Sequence, residues 1–371
     1  MQDQISADIP AIDAINPVGT DGIEFIEYAH PEPERLADLF TRLGFSPVAR
    51  HRSKNVTLWR QGEINFVVNA EPDGFAARFA AAHGPCICAM AFRVADAGLA
   101  MRRAAALGAT PYVTPVGPMG LAIPAIEGIG GSLLYFVERR DGAPGIWDVD
   151  FAWTGERDAH PAGHGFTLID HLTHNVHRGN MDVWAGWYEH LFNFREIRMF
   201  DIEGKLTGLK SRAMTSPCGK IRIPINESSD DKSQIEEYLR EYHGEGIQHV
   251  ALLSADIRRS TDRLADAGIA FMPAPPATYY EGVEARLPGH GEDLASLARQ
   301  GILIDGTGAG PQTDPRLLLQ IFSANLLGPI FFEFIERKGD EGFGEGNFRA
   351  LFESIEEDQI RRGVIGRPAA E

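Results

Sequence analysis

Cysteine is scarce: Cys86, Cys88 and Cys218 are the whole complement. So sparse and odd a set argues against a disulfide framework, and Cys86-Ile87-Cys88 lacks the two-residue gap of redox and zinc motifs. All three are therefore expected to be small buried thiols in a reducing compartment. Long apolar runs are missing too; no window approaches the roughly 20 apolar residues that a membrane-spanning helix needs. Met1 to Pro17 lacks a basic start followed by an apolar run, so no secretion signal is expected and the cytoplasm is the default location. Basic charge is in deficit, 35 Lys and Arg against 52 Asp and Glu, for a formal net charge of -17. That field repels phosphate backbones and anionic lipid, so neither nucleic acid nor a membrane surface is an expected partner. It leaves a small anionic substrate open, because a local site can differ from the global field.

What is present is a globular composition, 44% hydrophobic and 23% charged, over 371 residues, a length that predicts two domains. The two halves repeat each other. Gly22–Tyr28 and Leu168–His174 are both strand-like runs that lead into amphipathic helices. The first helix carries Leu36, Leu39, Phe40 and Leu43; the second carries Met181, Trp184, Tyr188 and Leu191. Gly44 and Asn193 follow, the two residue types that best tolerate a left-handed helix cap. Next, Ile87–Ala91 aligns with Ile247–Ala251, with Asp96 and Asp256 at equivalent helix starts and Gly108 and Gly268 at equivalent helix ends. Finally, Leu134–Arg139 matches Phe332–Arg337. Each half thus reads strand–helix–strands twice, an α+β pattern of small helices on curved sheets. The expected division is 1–150 and 151–371, within a Gly-, Pro- and His-rich stretch from Asp141 to His164. Most of the second half's extra length lies between Pro273 and Leu317, punctuated by Pro and Gly.

The repeat also exposes a candidate site. At three equivalent strand positions the first half has Phe25, Ala89 and Tyr135, where the second has His171, His249 and Glu333. A histidine in a strand is more often a hydrogen-bonded core residue than a ligand. A carboxylate among Phe331, Phe332 and Phe334 is different, because burying it unpaired is expensive and calls for a cation, a metal or a proton. Two imidazoles and one carboxylate, with coordination positions left open, form the donor set of non-haem iron(II) oxygenases. Phe331, Glu333 and Ile335 share one strand face by period-two alternation. His174, three residues from His171, points to the opposite face; His177, His190 and His243 read as surface or helix-end residues, and His160 and His164 as linker.

The motifs Ile169-Asp170-His171-Leu172-Thr173-His174-Asn175-Val176, Gly246-Ile247-Gln248-His249-Val250-Ala251, Pro329–Ile335 and Gly342-Phe343-Gly344-Glu345-Gly346-Asn347-Phe348 resemble those of the 4-hydroxyphenylpyruvate dioxygenase family, within the vicinal oxygen chelate superfamily. The resemblance covers nearly the whole chain and is most specific in the second half. It implies tandem βαβββ modules in two half-domains, each a curved open barrel, with a C-terminal lid helix. The first domain would be structural and the second would hold Fe(2+). It implies conversion of 4-hydroxyphenylpyruvate and O2 to homogentisate and CO2 in tyrosine and phenylalanine catabolism, by oxidative decarboxylation, ring hydroxylation and side-chain migration. Family members are dimers or tetramers, so a homo-oligomer is implied. Carried over by position, Ser211, Asn226 and Gln234 look catalytic, and Pro224, Gln248 and Gln320 look like pocket residues. Phe322, Phe343 and Phe348 resemble the aromatic walls of the ring slot. Gln248 is awkward, because simple alternation beside His249 aims it away.

Phe348, Leu351, Phe352 and Ile355 also form an apolar helical stripe opened by Asn347 and preceded by a glycine-rich hinge, which predicts a lid. Two rival readings compete. 4-Hydroxymandelate synthase resembles the family and shares its metal and substrate, but lacks the Pro and Asn found here at 224 and 226 and the second Phe of the glycine-rich motif. A non-catalytic, aromatic-ligand-binding member would have no use for three intact ligands.

Overall fold

The computed structural model describes residues 12–113, 121–139, 142, 144–155, 160–203, 208–344, 346, 347, 359, 360 and 362–364. Alternation along the strands determines what each sheet face does. In Ile23–Ala29, Ile26 and Tyr28 join the main core, whereas Phe25 turns to a separate apolar cluster with Ala91 and Val137. In Phe166–Val176, Leu172 and Val176 face the main core, as do the helix residues Met181, Tyr188 and Leu191.

Among the described residues there are two curled sheets, of nine and eight strands. Each is built from two βαβββ modules. Within a module the first strand pairs parallel with the last: Ile23–Ala29 with Ile64–Asn69, and Cys86–Val94 with Leu133–Glu138. The first strands of the two modules then pair antiparallel, joining them into one sheet. The second half repeats this with Phe166–Val176, Arg222–Ser228, Gly246–Ser254 and Phe331–Lys338. A short strand, Phe151–Trp153, adds to the edge of the first sheet beside Ser46–His51.

The helix punctuation is as the sequence predicts. Asp96 and Asp256 cap their helices, accepting from the backbone N–H groups of Leu99 (2.7 Å) and Arg259 (3.1 Å). Asn193 adopts a left-handed cap at φ 56°, and Gly44 has φ +85°. Gly44 is doubly constrained, because a Cβ there would lie 2.6 Å from the His164 ring. The extra length of the second half forms three short helices, Ala277–Glu281, Val283–Arg286 and Leu294–Gln300.

The cysteines are free; Cys86 and Cys88 are buried, but Cys218 is only half-buried, with its sulfur 3.1 Å from the Ser216 hydroxyl, against the expectation for all three. Burial pushes the Cys86 thiol up to about 12, so it carries no nucleophilic role. No helix among the described residues is long and apolar enough to cross a membrane.

Candidate metal centre

The register carries the three candidate ligands to one point. His171 sits opposite Ala251, and Ala251 opposite Glu333; in the first sheet Phe25 sits opposite Ala91, and Ala91 opposite Tyr135. The two halves therefore superpose rung for rung. One side-chain donor from each of His171, His249 and Glu333 lies within 4.8 Å of the others, and all three residues are buried. His171 Nε2 is 2.9 Å and His249 Nε2 3.3 Å from the same carboxylate oxygen, Glu333 Oε2. The other oxygen, Oε1, accepts from Gln320 Nε2 at 2.8 Å.

Two β-bulges set the histidine tautomers. The pairing of Phe166–Val176 with Gly246–Ser254 skips Asp170 on one strand and Gln248 on the other, so each residue can share a face with the histidine after it. His171 Nδ1 lies 2.9 Å from Asp170 Oδ1, and His249 Nδ1 lies 3.3 Å from Gln248 Oε1. Each Nδ1 then carries the proton and each Nε2 presents a lone pair to the centre, the orientation a metal requires. Simple alternation, which aims Gln248 away, fails at this bulge.

The donor set fits a divalent ion on this geometry. His249 Nε2 is buried without a hydrogen bond: the Glu333 oxygen is close, but the alignment is poor. Such an orphaned atom is costly unless something else occupies the centre. Burial opposes charge on His171, but Glu333 and Asp170 outweigh it and raise its proton affinity. Burial likewise opposes the Glu333 charge, and the two imidazoles outweigh it and hold that carboxyl below its ordinary range.

The other histidines fall elsewhere. His174 turns to the helix side, where its Nε2 meets the Tyr188 hydroxyl at 2.8 Å, and burial pushes it down to about 3, so it is neutral and structural. His177, His190 and His243 are exposed, and His243 caps a helix at φ 58°.

Ser211, Asn226 and Asn175 form one rung across three neighbouring strands. Ser211 Oγ, Asn226 Oδ1, Asn175 Nδ2 and the Thr173 hydroxyl are all buried with no partner, a line of polar atoms awaiting a ligand. Pro224 lies buried on the Asn226 strand. Gln320 Oε1 accepts from Asn347 Nδ2 at 2.8 Å, and Asn347 Oδ1 is 2.6 Å from the Tyr279 hydroxyl. Phe343 stands edge-on to His171 with centroids 5.6 Å apart; Phe331 stacks on His249 at 4.6 Å, with Phe322 edge-on behind it at 6.3 Å. Gln234, half-buried at the start of helix Gln234–Tyr242, lines a cavity of about 440 Å³ with Gln248 and Phe331. A larger concavity of about 680 Å³ lies in the first half, lined by Glu24, Arg93 and Trp147, and contains none of the three ligands, so size does not choose the site. Phe348 and the stripe of the lid helix lie outside the described residues. Farther on, Gln359 and Arg362 bond to Glu237 on helix Gln234–Tyr242.

Sequence reasoning missed Asn175, Asp170, Arg337 and Tyr279. Asn175 was available from period two, four residues beyond His171. Asp170 was not, because only the bulge turns it inward.

Residues 15–152 match the profile of the "Hydroxyphenylpyruvate dioxygenase, HPPD, N-terminal" family, and residues 168–292 that of the "Glyoxalase/Bleomycin resistance protein/Dioxygenase superfamily". The chain is 57% identical to a 4-hydroxyphenylpyruvate dioxygenase of Pseudomonas sp. (strain P.J. 874), covering 94% of this chain and 98% of that one. The chain belongs to the 4-hydroxyphenylpyruvate dioxygenase family. A second relative of this dioxygenase family member, named hemolysin VllY, from Vibrio vulnificus (strain CMCP6), is 61% identical over 95% of this chain and 99% of its own. Among solved structures, a mutant 4-hydroxymandelate synthase from Streptomyces coelicolor matches with a TM-score of 0.79 at 25% identity, over 92% of this chain and 99% of that chain. The dioxygenase chain thus carries a buried His/His/Glu cluster suited to a metal, on the vicinal oxygen chelate fold.

Proposed function

We propose that His171, His249 and Glu333 hold iron(II), and that the chain uses it with O2 to convert 4-hydroxyphenylpyruvate to homogentisate and CO2. The observation that carries the reading is the convergence of two Nε2 atoms and one carboxylate oxygen on one buried point in a chain of this family. When bound, iron(II) supplies a site where the 2-oxo acid and O2 meet, and the oxidation chemistry belongs to it.

The protein's part is to bind, orient and exclude water. Gln320 fixes the Glu333 carboxylate, so one oxygen stays free for the ion. Phe322 and Phe343 would wall the aromatic ring, and Phe348 with them. The unpartnered hydroxyl and amide atoms of Ser211 and Asn226 would bind the polar end of the substrate, helped by Gln234 and Gln248, with Pro224 shaping the slot. This division also supports reading 1–150 as a structural domain, where Phe25 packs against Tyr135 and Trp147 in place of a metal ligand, and 151–371 as the catalytic one, apart from the edge strand Phe151–Trp153, which pairs with the first sheet. A homo-oligomer and a cytoplasmic location follow the family and remain part of the proposal.

Oxygen uptake with 4-hydroxyphenylpyruvate, followed by chromatography of the product, tests the reading. Homogentisate from the native chain and none from His249→Ala is the expected result. Hydroxymandelate would move the chain to the synthase reading, and no uptake with iron(II) and ascorbate present would leave only ligand binding.

A further inference from the structure

We propose that Asp170 and Arg337 form a rigid strut that serves two ends at once, orienting the metal-facing imidazole of His171 and fixing the backbone turn that places Phe343 over it. The inference rests on the metal reading above.

Asp170 is more heavily bonded than one imidazole requires. Its Oδ1 accepts from His171 Nδ1 (2.9 Å) and Arg337 Nη2 (2.8 Å); its Oδ2 accepts from Arg337 Nε (2.7 Å) and Arg222 Nη1 (3.1 Å). All the usual acceptor positions of a carboxylate are filled, and the residue is buried. The planar fork of Arg337 grips Asp170 with two donors and keeps a third, Nη1, for the carbonyls of Asp340 (3.0 Å) and Gly342 (2.7 Å). Those two carbonyls belong to the turn that delivers Phe343 to His171. Arg222, on the same carboxylate, also pairs with Glu341 of that turn. A path of charged hydrogen bonds therefore runs from an imidazole of the metal centre to the backbone that carries one wall of the pocket.

The first half is an internal comparison, because it has the bulge without the metal. Its pairing skips Glu24 just as the second half's skips Asp170. Glu24 bonds Arg93 and the Trp147 indole, and the residue that follows it is Phe25. Arg139, the counterpart of Arg337, is exposed. Where no metal ligand follows the bulge, the carboxylate stays but the strut is not built.

Asp170 and Arg337 are thus positioning residues, and the two arms of the strut separate experimentally. The probe is Co(II) alone, titrated into the full chain by its visible absorption, with kcat and KM measured on iron-loaded protein. Asp170→Asn is expected to weaken Co(II) binding by about 10- to 100-fold. Arg337→Lys keeps a cation beside Asp170 but cannot span to both carbonyls; it should leave Co(II) affinity within about threefold while raising KM about 10-fold or more through the displaced Phe343. Glu24→Gln, the same change at the metal-free bulge, should lower thermal stability and leave Co(II) affinity unchanged. Native Co(II) affinity in folded Asp170→Asn, an unchanged KM in Arg337→Lys, or an equal loss of affinity in Glu24→Gln would each overturn the strut. If Asp170→Asn does not fold, the KM of Arg337→Lys decides. A native chain that takes up no Co(II) refutes the metal reading instead.

Discussion

Glu333 is held from both sides: Gln320 takes one oxygen, and the two histidines converge on the other. The protonation of that trio gives the site a pH signature. In the metal-free chain the neighbouring carboxylates raise the proton affinity of His171 above its ordinary value, and binding an ion must expel that proton. The sign follows directly. Metal affinity rises with pH and levels off only above the raised value, and by the same linkage the metal-free chain loses the His171 contribution to stability as pH climbs from histidine's ordinary range through that value. Calorimetry of metal binding near neutral pH, in two buffers of different ionisation heat, should show net proton release; heats independent of buffer would contradict it. The three ligand positions were legible because the repeat set polar residues against Phe25, Ala89 and Tyr135. Asp170, and the turn of Gln248 toward His249, were not, because a bulge breaks the period on which strand reading depends.

Elements position what residues supply. The glycine-rich segment does so by close approach: Gly344 sits at φ +70°, and a Cβ there would lie 2.1 Å from Gln320 Oε1. Gly344→Ala should therefore push Gln320 off Glu333 and lower both metal affinity and thermal stability. A variant with native metal affinity would show that the segment does not brace the carboxylate. Helix starts and ends were readable from Asp96, Asp256, Gly108, Gly268 and Asn193, since capping is local chemistry that short spacing encodes. The three short helices after Met272 were seen only as an excess of length, because they are held by tertiary contacts such as the Tyr280 hydroxyl on the Ile302 carbonyl rather than by their own periodicity.

At the scale of the whole molecule, aromatic packing joins the halves: Phe92 lies 5.7 Å from Phe192 and 6.0 Å from Phe194, and Phe66 lies 6.3 Å from Phe332, neighbour in sequence to Glu333. The first sheet thus buttresses the second while offering no ligand itself. Phe92→Ala should cost about 3–5 kcal/mol of stability in urea unfolding, yet the folded fraction should still bind one metal ion per chain. Loss of metal from protein that remains folded would show that the first half shapes the centre rather than supporting it. The internal repeat made this architecture readable from sequence, but the residues that join the halves were not, because long-range packing leaves no local pattern.

The most direct measurement is the iron content of the full chain after anaerobic loading and removal of free metal, compared with His171→Ala, His249→Ala and Glu333→Ala. One iron per native chain and none in each variant is the predicted result. Full occupancy in any of the three, with folding intact, would contradict the shared centre.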